Sequence, residues 1–149
     1  MRSGPKPGRV VIYDHQSHAA VDEEKLAQYA TAALAQLLTK GALKPELADP
    51  AEIEVNLVDD AEIGRVHGEF LQDATPTDVI TFQHGEILVS VETADREARE
   101  RGISLLEEVA RYMIHGLLHL AGYDDQHPSA RAAMHAEQER LLAGVLACR

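Results

Sequence analysis

Apolar and polar residues in this chain follow two periods, and the switches between them mark out its elements. Ile53, Val55 and Leu57 alternate with Glu52, Glu54 and Asn56, the period of two expected of a half-buried strand. Between Val21 and Leu38 the apolar positions (Val21, Leu26, Ala30, Ala33, Leu34, Leu37, Leu38) recur at helical spacing, with Asp22 as N-cap and Gly41 as the stop. Val10–Tyr13 is short and β-branched and predicts a further strand. Residues 41–51, with Pro45 and Pro50, read as a loop, and Asp59 or Asp60 opens a short helix running to about Phe70. After a polar loop over 72–78, Val79–Phe82 and Glu86–Val91 predict two strands about the turn Gln83-His84-Gly85, as a tight hairpin or as offset strands of one sheet. Thr93–Arg101 is helical and stops at Gly102. Ser104-Leu-Leu-Glu107 is a capping box that launches a long helix, Leu105–Ala121, and Pro128 suits the first turn of a last helix reaching about 146. The order β-α-β-α-β-β-α-α-α predicts an α+β fold: a single small mixed sheet with helices packed on it.

Composition narrows the class. The chain has 149 residues, 45% of them apolar, which suits one domain over 9–149 behind a flexible Pro/Gly-rich tail at 1–8. No apolar run is long enough for a membrane span. A lone Cys148 excludes a disulfide framework and points to a cytoplasmic home. The net charge of −11 argues against a broad nucleic-acid or DNA binder but leaves room for a local basic strip, for which Arg96, Arg99, Arg101 and Arg111 are available. Five glutamates are interleaved with them, as on a solvated helix face.

The chemistry is concentrated in His115-Gly-Leu-Leu-His119-Leu-Ala-Gly122-Tyr-Asp-Asp125, at the C-terminal end of the long helix. Residues four apart on a helix come round to within about 40° of each other, so both imidazoles can reach one cation. Gly122 turns the chain back, and a third donor then arrives: Asp125 by preference, with His127 as the alternative, whose other role is to cap the last helix. Zinc held by three protein ligands keeps a fourth position open, the layout of a hydrolase, although two histidines and a carboxylate also suit iron, manganese or nickel. Metallopeptidases carry a glutamate next to the first histidine as base. Here that position is Gly116, so the motif has no base of its own.

His115-Gly-x-Leu-His119-Leu-x-Gly122-Tyr123-Asp124 resembles the signature of the YbeY-type rRNA maturation factors, which are bacterial metal-dependent endoribonucleases. Pro76-Thr-Asp-Val-Ile-Thr-Phe82 and Gly85-Glu-Ile-Leu-Val-Ser90 are similar to two further segments of that family, in the same order. The resemblance implies one zinc ion and single-strand endoribonuclease activity in 16S ribosomal RNA 3′-end maturation and ribosome quality control. The implied partners are ribosomal RNA and the small ribosomal subunit. It also makes Thr77, Asp78 and Glu86 candidates for catalytic roles beside the metal. The chain departs from the family at Asp125, where a third histidine is usual, and at Glu86, where an aspartate is usual. It departs again at Leu71, where an arginine would be a natural phosphate clamp, so a clamp is to be sought at Arg65 or Arg111. The competing readings are a zinc metallopeptidase or small-molecule hydrolase, and a non-catalytic ribosome-associated module whose metal staples the turn.

Overall fold

Asn56 is as buried as the apolar residues on either side of it, which places its strand inside a sheet rather than at an edge. The computed structural model describes residues 8–41, 52–71 and 78–147, with the side chains of Phe70 and Leu71 excepted. Within them the elements are β1 (Arg9–Asp14), α1 (Glu23–Thr39), β2 (Glu52–Val58), α2 (Asp60–Leu71), β3 (Val79–Phe82), β4 (Glu86–Ser90), α3 (Val91–Arg101), α4 (Leu105–Leu120) and α5 (Pro128–Ala147). The sheet order is β1-β2-β4-β3, with β1, β2 and β4 parallel and β3 antiparallel to β4. The fold is thus the expected α+β type, with five helices on one mixed sheet among the described residues. The predicted tail and the 41–51 loop lie almost wholly outside those residues, as do Thr77 and Cys148.

Strand pleating divides the sheet into two faces. Val10, Ile53, Val55, Leu57, Ile87 and Val89 point to one face and form a single core with the apolar stripes of α1, α4 and α5. Val58, Ile80 and Leu88 point to the other and pack with Ile63 and Val66 of α2 in a second, smaller cluster. The predicted alternation of β2 holds from Glu52 to Val55, where the glutamates are exposed, and gives way from Asn56 to Val58, where every residue is buried. The polar Asn56 is tolerated there because its amide is paired, with His15 at 2.7 Å, Glu54 at 2.9 Å and Glu86 at 3.0 Å.

Several boundaries shift for local reasons. The Ser90 hydroxyl accepts the Thr93 N–H, so α3 begins at Val91, a residue assigned to the strand by its β-branching. Ser104 caps α4 by accepting the Glu107 N–H at 3.0 Å, but the Glu107 carboxylate turns to Arg111, so the observed cap is the serine half of the expected box. The hairpin reading of β3 and β4 holds, closed by a 3.0 Å bond from Gly85 N–H to the Phe82 carbonyl. No helix among the described residues is long and apolar enough to cross a membrane.

The sheet positions the metal-site helix through one close approach. Gly116, between the two histidines, lies over Ile87 of β4, and a Cβ there would fall 2.8 Å from Ile87 Cγ2 and 2.9 Å from its Cδ1. A side chain at position 116 could be seated only by displacing Ile87. Gly116→Ala is expected to cost about 1–3 kcal/mol by overpacking, read as a lower denaturation midpoint, and shortening the neighbour with Ile87→Val should recover part of the loss.

Candidate metal centre

The last turns of α4 carry His115 and His119 side by side, with His115 Nε2 and His119 Nε2 3.1 Å apart. The chain leaves the helix through Gly122 at φ +96, a left-handed conformation that glycine adopts without strain, and Tyr123 N–H closes back on the Leu118 carbonyl at 3.0 Å. That reversal brings the Asp125 carboxylate to 3.9 Å from His115 Nε2 and 3.8 Å from His119 Nε2. The three donor atoms lie within 4.8 Å of one another and could hold a metal ion. His127 is exposed and not part of the cluster. Its carbonyl accepts the Arg131 N–H at 2.8 Å, at the start of α5. Asp124 is engaged with the turn, accepting the Gln126 N–H.

The protonation pattern suits a cation. Gln138 of α5 is buried, and its Nε2 donates to Glu139 Oε2 at 3.0 Å. Glu139 is held ionised, because hydrogen bonds from Arg111 keep its carboxyl below the usual range. An ionised carboxylate only accepts, so the amide must present its NH2 there and its oxygen to the other side. That oxygen lies 2.8 Å from His115 Nδ1, which therefore donates to it, while His115 Nε2 is the nitrogen that faces His119. The backbone of Tyr123 engages the His119 ring, and burial, followed by the neighbouring His115, pushes the pKa of His119 down. Two imidazole nitrogens facing each other over 3.1 Å, beside a carboxylate, fit a cation placed between them.

The cluster is open on one side: the Asp125 side chain is 45% exposed and the histidines about a quarter exposed. His115 also lines a polar cavity of about 520 Å³, with Asp78, Arg111, Tyr112, His135 and Gln138 on its walls. Asp78 thus shares a cavity with His115. Glu86 does not: it points to the opposite face of the sheet from α4, where Asn56 and His84 bind it. Thr77 lies outside the described residues.

Neither predicted clamp is free for an anion. Arg65 is paired with Glu62 at 2.7 Å and Glu69 at 2.9 Å, beside a separate groove on the Glu86 face. Arg111 is nearly buried between Glu107, Glu108 and Glu139, and those carboxylates, Glu139 first, raise its pKa further. The functional residue missed by sequence reasoning is Gln138. Its signal was present, since it interrupts the inward stripe Met134, Leu141, Leu142 and Val145 of α5 with a polar side chain.

The family model described as Endoribonuclease YbeY matches residues 11–145 of the chain. A protein of Moorella thermoacetica named Endoribonuclease YbeY is 35% identical over 153 residues, covering 90% of this chain and 95% of the relative. One of the same name from Gloeobacter violaceus is 40% identical over 119 residues, covering 69% of this chain and 61% of its own. Among solved structures, the solution structure of TM1509 from Thermotoga maritima is similar with a TM-score of 0.61 and 28% identity, over 91% of this chain and 88% of that one.

Replacing Gln138 with leucine removes the bond that sets the His115 tautomer while leaving all three donors in place. Metal affinity, measured by competition with a chromophoric chelator, is expected to fall about 10–100-fold. An unchanged affinity would mean that the amide does not orient the ligand.

Proposed function

The chain belongs to the Endoribonuclease YbeY family, and we propose that it is a zinc-dependent single-strand endoribonuclease acting in 16S ribosomal RNA 3′-end maturation and ribosome quality control in the cytoplasm. Its partners in this reading are ribosomal RNA and the small ribosomal subunit. The observation that carries the proposal is the convergence of His115, His119 and Asp125 on one open-sided point in a chain of this family.

Zinc suits this donor set. Ligand atoms about 2.0–2.1 Å from a tetrahedral ion lie about 3.3 Å from one another. The two imidazole nitrogens are 3.1 Å apart, and Asp125 reaches that spacing by closing from 3.8 and 3.9 Å. When bound, the ion supplies Lewis-acid polarisation of a phosphodiester and activation of a nucleophile at neutral pH. The protein's own residues hold it and keep one side accessible. Gln138 holds His115 in the ligating tautomer. Asp78, on the wall of the cavity that His115 lines, is in this reading a carboxylate that exchanges a proton with the reacting strand. Glu86, on the far face of the sheet, takes no part in the chemistry.

Peptide hydrolysis is the weaker reading, because Gly116 occupies the position of the peptidase base and its packing against Ile87 leaves no room for one. A purely structural metal is disfavoured by the exposed Asp125 side.

Zinc-loaded protein is expected to cut single-stranded RNA, with cutting abolished by chelation and by His115→Ala. Asp78→Asn should slow cleavage by about 10²–10⁴-fold at full metal occupancy, whereas Glu86→Gln should leave the rate near that of the parent. A loaded parent that leaves RNA intact, as His115→Ala does, contradicts the proposal.

A further inference from the structure

We propose that Arg131, on the first turn of α5, is the residue that binds the substrate phosphate at the metal centre. This rests on the endoribonuclease reading and adds to it the cation by which the centre recognises its substrate.

The arginines of the described residues are otherwise committed. Arg9, Arg65, Arg96, Arg99, Arg101, Arg111 and Arg140 each have a carboxylate within 4.0 Å. Arg131 has none among the described residues. Its one side-chain bond runs from Nε to the backbone carbonyl of Asp125, at 3.1 Å. That bond ties the guanidinium to the turn carrying the third metal donor. It uses the inner nitrogen and leaves the two outer NH2 groups as a planar fork. Such a fork matches two oxygens of one phosphate, which a lysine ammonium cannot do.

The placement has no evident structural reward beyond the tether. A cation in the first turn of a helix opposes the helix dipole, and here no acidic residue of that turn offsets it. Charge at the centre explains why it is useful. A divalent ion carries two positive units. Asp125, as a ligand, cancels one, and the exposed Asp124 on the same turn offsets part of the rest. In a chain of net charge −11, a phosphodiester approaching that partly neutralised point is held more firmly where a further cation stands beside it. Arg131 supplies it. One helical turn further along α5, His135 lines the cavity shared with His115, and Gln138 follows with its bond to the His115 ring. Arg131, His135 and Gln138 thus fall at helical spacing on one strip of α5 beside the metal donors, a short track for a single strand.

The experiment uses the zinc-loaded full chain and a fluorescent single-stranded 2′-O-methyl oligoribonucleotide, which keeps the backbone charge but whose capped 2′-oxygen cannot attack. Binding is followed by anisotropy at several salt concentrations, and zinc content is measured on the same samples. Arg131→Gln should retain its zinc, bind about tenfold more weakly, and show a salt slope reduced by about 0.7, the value for one lost phosphate contact on a single strand. Arg131→Lys should keep the slope while binding more weakly than the parent. The proposal is overturned if Arg131→Gln matches the parent in slope and affinity. It is equally overturned if the variant loses its zinc and regains full RNA affinity when zinc is restored, since Arg131 then only pins the turn. A zinc-loaded parent that neither binds nor cuts RNA overturns the endoribonuclease reading along with it, whereas a parent that cuts RNA while Arg131→Gln binds normally removes only the role of Arg131.

Discussion

One acceptor-only carboxylate sets the chemistry of this centre. Glu139, kept ionised by Arg111, dictates which way the Gln138 amide faces. The amide dictates which nitrogen of His115 carries the proton, and the bare nitrogen then faces His119. The chain from Arg111 to the candidate metal donors runs through two helices, so docking α5 against α4 both closes the core and orients the His115 ring. Were the amide free to turn over, half of its orientations would present the wrong group to His115.

The sheet contributes by standing close. Because Ile87 of β4 fills the space under Gly116, the ligand helix sits against the sheet at the point where its histidines project. The same contact removes any side chain from the position that serves as base in peptidase helices. Packing thus restricts the reaction class as well as the stability. The polar cavity beside His115 has Asp78, Glu97 and Glu108 among its lining residues. The other face of the sheet, where Asn56 bridges Glu54 and Glu86, is a separate polar network away from that cavity.

Much of this was legible in the order of residues, because period and spacing report on local geometry. The helical pair His115 and His119, the turn at Gly122 and the order of the elements depend on nothing further away than one helical turn. The preference for Asp125 over His127 rested on chain distance after a glycine, and the cluster contains Asp125 while His127 stays at the start of α5. What was not legible depends on contacts between distant segments. The burial of Asn56 and Val58 at the end of β2 depends on the neighbouring β4 and on the second apolar cluster, which the alternation of the strand does not encode. The full pairing of Arg111 needs the fold, since Glu139 lies 28 residues away and becomes its partner only when α5 packs on α4, whereas Glu62 and Glu69, the partners of Arg65, stand one helical turn away and are legible in the sequence. Gln138 was visible as a polar interruption of an apolar stripe, but its meaning required knowing that His115 stood opposite.

In the proposed function, two imidazoles and the Asp125 carboxylate hold one zinc ion on an open-sided site. X-ray absorption at the zinc edge of the protein loaded with one equivalent of metal reads that donor set. Scattering from two imidazole rings at about 2.0–2.1 Å is expected, with the remaining ligands oxygen, unchanged by His127→Ala and altered by Asp125→Asn. Scattering from three imidazoles, one of them lost in His127→Ala, would contradict it.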